Sequence, residues 1–144
     1  MTDIVLLTQQ FPTENLSWDL SNPEVPYVEG GTLDVTLFTQ AQHFVNGYIP
    51  SGTVLGRVTA SGLLGPYLDA AVDGRTTAVG ILRGSVQVVQ PMTGAVKAKV
   101  GCAVLKAFGV VSVAKLPFTS GTAAGGGYID ANGQADLPRI HFAA

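Results

Sequence analysis

Charge is what this chain has least of. Only 12% of its 144 residues are Asp, Glu, Lys or Arg and the formal net charge is −2, against roughly 25% charged residues in an average soluble domain. A surface so poor in charge points to large parts being covered by something else. Lys97, Lys99 and Lys106 are the only loose grouping of cations. Binding a phosphate backbone needs several cations on one face, because each neutralised phosphate contributes through counterion release, so direct DNA or RNA binding is disfavoured. Cysteine is nearly absent as well. Cys102 is alone, which rules out an intramolecular disulfide, and its place in the apolar run 100–105 reads as a buried, reduced structural thiol. The two histidines, His43 and His141, lie far apart with no second ligand at a zinc-site spacing. No stretch of some 18 apolar residues and no basic leader followed by an apolar segment occurs, so the expectation is a soluble protein made in a cytoplasm, with no membrane partner.

What the chain does have is apolar residues and turn formers. Hydrophobic residues make up 47%, enough in 144 residues for one core without disulfides or metal. The 18 Gly and 8 Pro exceed average usage, so turns are frequent and long helices are not expected. The fold class this implies is β-rich α+β: a small single domain of short strands with one or two short helices, preceded by an extended N-terminal arm.

The arm is assigned to residues 1–31 and the β-rich domain to 32–144. In 1–31, Phe11, Leu16, Trp18 and Leu20 are spread among Pro12, Pro23, Pro26 and acids with no sustained period, apart from one possible helical turn over 13–19. Such a segment either orders against a partner or packs as coil across its own domain. Residues 32–39 alternate, with Leu33, Val35 and Leu37 on one face and Asp34, Thr36 and Phe38 on the other, the period of a half-buried strand. That strand suits pairing with another chain's sheet edge, and equally an edge position in its own domain. Further strands are expected over 53–59, 78–82, 86–89, 94–104 and 109–114, although the alanine-rich middle of 96–108 also reads as a helix. Residues 120–127 read as a flexible loop, and Asn132-Gly133 reads as a turn better than as a helix interior.

No catalytic constellation assembles from the sequence. Ser51 lacks the Gly-x-Ser-x-Gly elbow, the Gly125–Gly127 run lacks a following Lys-Ser/Thr, and Asp69 with Asp73 reads as a pair of turn acids. No enzyme activity, catalytic residue, metal or cofactor is expected. Gly52, Gly62, Gly74 and Gly80 are read as structural positions where a positive φ or a close backbone approach excludes a side chain.

The distinctive block is Tyr48-Ile49-Pro50-Ser51-Gly52-Thr53-Val54-Leu55-Gly56, followed after a turn by Asp73-Gly74 and Ala78-Val79-Gly80-Ile81-Leu82. This ordered set resembles the tailed-phage head decoration (capsid cement) proteins, the family of the phage lambda head decoration protein. The resemblance is strongest over 44–88. It implies a structural virion protein that binds the outer surface of the expanded phage head as homotrimers at three-fold junctions between capsomers, stabilising the shell against DNA pressure. It also implies the major capsid protein as partner and an N-terminal arm that adds a strand to a capsid sheet edge. In this chain the candidate capsid-binding residues are Phe11, Trp18, Leu33, Val35, Leu37 and Phe38. Two other classes stay open. A virion-surface module binding carbohydrate or a host surface would use Tyr48, Tyr67 and Tyr128 as an aromatic platform, and a small oligomeric enzyme would use Ser51 or His43.

Overall fold

The computed structural model describes residues 14–21, 27–119 and 124–143. In these residues, apolar runs separated by glycine turns form β1 (Tyr27–Asp34), β2 (Tyr48–Ile49), β3 (Val54–Arg57), β4 (Leu64–Pro66), β5 (Ala78–Leu82), β6 (Val86–Gln87), β7 (Lys99–Ala107), β8 (Gly109–Ser112), α1 (Ala131–Asp136) and β9 (Ile140–Ala143). Five strands close into a barrel in the order β1-β4-β3-β5-β7, and β2-β6 and β8-β9 form two-stranded sheets. The architecture is β-rich with one short helix and short 3-10 turns, the class the composition implies.

Three barrel strands each carry a pair of adjacent buried residues that face opposite ways, and this organises the interior. Val54 of β3, Ile81 of β5 and Leu105 of β7 belong to one core with Trp18, Tyr67 and Val111. Their neighbours Leu55, Leu82 and Val104 belong to a second core with Leu33, Val35, Phe38 and Ile49. Successive strand residues point to opposite faces, so each strand feeds both cores and is apolar at consecutive positions there rather than alternating.

Several elements differ from the sequence expectations. The strand expected over 32–39 begins at Tyr27 and ends at Asp34, and residues 35–37 form a 3-10 turn. The Asp34 carboxylate accepts hydrogen bonds from the Thr36 N–H (3.1 Å) and hydroxyl (2.5 Å), which offers the backbone a turn in place of a continued ladder. Residues 27–31, assigned from sequence to the arm, are barrel strand paired with β7 from Tyr27–Ala107 onward. In the described part of 13–19 there is a turn at Ser17–Trp18 and no helix. The ambiguous segment 96–108 is strand from Lys99 to Ala107.

Asn132-Gly133 lies inside α1. Asp130 caps this helix by accepting from the Gly133 N–H at 2.7 Å, and a side chain at 133 would press on Ile129 and the Tyr67 ring. Packing overrides the weak propensity there. The loop expected over 120–127 is also pinned at its C-terminal end; residues 120–123 lie outside the described residues. Gly126 and Gly127 are buried with φ of 92° and 91°, Val54 donates to the Gly127 carbonyl, and Gly127 donates to the Tyr67 carbonyl. A Cβ at Gly126 would collide with that Tyr67 carbonyl.

Candidate functional site

The Ile49-Pro50-Ser51-Gly52 turn is a socket for a residue distant in sequence, Trp18. Gly52 adopts φ 93°, and a Cβ there would lie 3.1 Å from the Trp18 ring and 2.8 Å from Pro117. The Trp18 indole N–H donates to the Ser51 hydroxyl at 3.1 Å, and that hydroxyl donates to the Asn15 carbonyl at 2.7 Å. Trp18 is fully buried. Around it the chain lies against β8: Ser112 donates to the Trp18 carbonyl and Leu20 to the Val110 carbonyl, both at 2.8 Å. Asp19 pairs with Arg83 at 3.6 Å. Glu14 accepts from the N–H and hydroxyl of Ser85. Residues 14–21 are therefore fastened to the domain at both ends and through the core.

Beside this socket opens a cleft of about 270 Å³ walled by Trp18, His43, Pro50, Pro117 and Phe118, with Lys115 among its lining residues. His43 is buried between the rings of Phe38 and Phe118, both edge-on at 5.3 and 5.2 Å. Its Nδ1 accepts from the Thr39 N–H (2.9 Å), so the neutral ring carries its proton on Nε2 and donates to the Gly126 carbonyl (3.0 Å). Burial, reinforced by the charge of Arg75, lowers the His43 pKa from the ordinary 6.5. Because the folded pKa lies below the unfolded one, the unfolded state takes up the proton first as pH falls. Stability is therefore full above about pH 6.5 and declines below it, by at most about 1.4 kcal/mol per pH unit, until the folded value is reached. Urea midpoints measured from pH 7.5 to 5 should show this limb, and His43→Gln should flatten it; an unchanged limb in the variant would assign it to other groups.

The cleft does not assemble a reaction centre. Ser51 and His43 both line it, yet each is committed to backbone carbonyls and neither bonds the other. Among the described residues no carboxylate lines it. Asp73 is paired with Arg75 at 2.9 Å, and Asp69 accepts from Asn132 at 3.2 Å. Among the described residues no cluster of three His, Cys, Asp or Glu side chains offers a metal site. Tyr67 is fully buried, its hydroxyl donates to Asp130 at 2.8 Å, and burial followed by that bond raises its pKa. Its ring meets Tyr128 edge-on, so these two tyrosines belong to the packing rather than to an open platform.

The residues expected to meet a capsid are dispersed by the fold. Leu33, Val35 and Phe38 are 0%, 1% and 6% exposed in the second core, and Trp18 is in the first. Leu33 reaches that core from β1, and Val35 and Phe38 reach it from the 3-10 turn 35–37 and the residue that ends it. Leu37 is half-buried over Gly65, and Phe11 lies outside the described residues. Gly52, Gly62 and Gly74 have φ of 93°, 73° and 110°, whereas Gly80 lies within β5, where a Cβ would meet Val104 and the Leu105 carbonyl. The cleft itself escaped sequence reading, because its walls come from segments around 18, 42–51 and 115–118.

The family model of the bacteriophage lambda head decoration protein D matches residues 34–125, well over half of the chain. The chain belongs to that family, a family of structural phage-capsid proteins rather than of enzymes, which places it on the capsid exterior. The Trp18 socket turn, 49–52, lies within the matched region. No curated protein matches the chain. Among the described residues no helix is long and apolar enough to cross a membrane.

Proposed function

We propose that this protein binds the expanded phage head as a homotrimer at three-fold junctions between capsomers, in contact with the major capsid protein, and holds the shell against the pressure of packaged DNA. The family match carries this reading. The low charge supports it, since a protein whose sides face other subunits has little use for a solvated charged surface.

In this reading the attachment segment is the part of the arm before Glu14, including Phe11, because Leu33, Val35 and Phe38 already serve the barrel. Strand addition to a capsid sheet edge supplies backbone hydrogen bonds, and apolar side chains supply pocket contacts. A trimer has three such segments. Once one is bound the others bind at high effective concentration, which raises avidity by about 10²–10⁴. Tension on the segment passes through Trp18 and Ser51 into the barrel core, so an outward push on the shell loads packed side chains rather than a loop. Binding the expanded shell in preference to its precursor stabilises the expanded form by mass action.

Image reconstruction of decorated heads tests the reading. Density for three copies around each three-fold junction supports it, and density at capsomer centres or none at all overturns it.

A further inference from the structure

Two Asn-Gly pairs occur in the chain, Asn46-Gly47 and Asn132-Gly133, and the fold treats them differently. The pair has a chemistry of its own, because glycine puts no side chain in the way of its backbone nitrogen. That nitrogen, its proton lost to solvent base, attacks the side-chain carbonyl carbon of the preceding asparagine. A succinimide closes as the new C–N bond forms, the amide C–N bond breaks and ammonia leaves. Water then opens the ring at either carbonyl, leaving aspartate or isoaspartate. The attack requires a free glycine N–H and rotation about the asparagine Cα–C bond.

Both requirements are blocked at Asn132. Its side chain is exposed, but Gly133 is buried inside α1. The Gly133 N–H donates to the Asp130 carboxylate at 2.7 Å, a charge-assisted bond about twice as strong as one between neutral groups. A carboxylate beside that nitrogen also opposes loss of its proton. Rotation at Asn132 would break the next bond of the helix, Gln134 N–H to the Asp130 carbonyl at 2.9 Å. It would also drive Gly133 toward Ile129 and the Tyr67 ring, which leave no room there even for a Cβ.

Asn46 has none of this protection. It is exposed in a turn beside Val45, itself 67% exposed, and Gly47 is only half-buried. The Gly47 N–H donates to a neutral acceptor, the Phe44 carbonyl, at 3.0 Å. An exposed turn closed by one neutral bond opens far more readily than a capped helix packed on the core. We propose that Asn46 is a spontaneous deamidation site of the folded protein and that α1 spares Asn132. The product places a new negative charge at the cleft, which Asn46 lines.

The test is to age the purified full chain at mildly alkaline pH, folded and in urea, and to follow both sites by peptide mapping with fragmentation mass spectrometry. The tryptic peptide 116–139 holds Asn132 as its only asparagine. In the folded protein Asn46 should convert more than about tenfold faster than Asn132. In urea the two rates should converge, since both sites have the same glycine neighbour. Asp130→Ala, aged below its melting transition, should speed conversion at Asn132 by about tenfold, and Asp130→Asn, which keeps an N-cap acceptor, should not. Equal rates at the two sites in the folded protein, or an Asn46 that stays intact there while the unfolded chain converts, would overturn the proposal. A preference for Asn46 that persists unchanged in urea would assign it to local sequence and overturn the role of the fold. An Asn132 rate unmoved by Asp130→Ala would overturn the protection by the cap.

Discussion

Trp18→Ala should destabilise the protein by about 3–5 kcal/mol, the range for emptying a large buried aromatic site, and lower its melting temperature by on the order of 10 °C. The reason is the position of Trp18 in the chain as much as its size. Its indole fills a socket built by the Ser51-Gly52 turn, Val54 and Leu116, and its own backbone extends the β8 sheet. Trp18→Phe should recover most of the loss, leaving about 1 kcal/mol for the bond to Ser51. Urea unfolding by circular dichroism measures both. A change below about 1 kcal/mol for the alanine variant would mean that residues 14–21 stand apart from the domain in solution. The same logic extends to deletion: removing residues 1–38 takes away Trp18 and the barrel strand β1 and should abolish folding.

Val35→Asp should be equally severe, for a different reason. Val35 is 1% exposed among Leu33, Phe38 and Phe44, and no cation belongs to that core. A buried, unpaired carboxylate costs several kcal/mol even after its pKa shifts to neutralise it. The variant should be mostly unfolded at neutral pH and partly rescued on acidification toward pH 4, where the group protonates, as read by near-ultraviolet circular dichroism. Any loss of shell attachment should then follow the loss of folded protein. A well-folded Val35→Asp that fails to attach would instead return Val35 to the binding surface, where the alternation of 32–39 first placed it.

That alternation shows how far sequence reaches here. Strands at 54–57, 78–82 and 109–112 were legible because β-branched runs end at glycine or proline. The block 48–56 was legible as a family signature, and the family follows from the match over 34–125. The partner of that block was not. Trp18 and Ser51 meet across 33 residues, and nothing in the irregular sequence around Trp18 marks it as core rather than arm. Period alone also cannot say where a strand stops, because Asp34 ends β1 with a side-chain hydrogen bond in the middle of a good alternating pattern. Gly133 sits in a helix for a tertiary reason, the Tyr67 ring above it, which local propensity does not contain. The unusual backbone of Phe108 is the least legible of all. Phe108 looks like an ordinary apolar residue in sequence and stands out only through its φ and its exposure.

The most direct test of the account is co-sedimentation of the purified protein with undecorated expanded heads of its phage, alongside unexpanded precursor shells. Saturable binding to the expanded heads alone is the predicted result, with the stoichiometry of three copies per three-fold junction. Absence of binding to either shell, or equal binding to both, would contradict a protein that secures the expanded capsid.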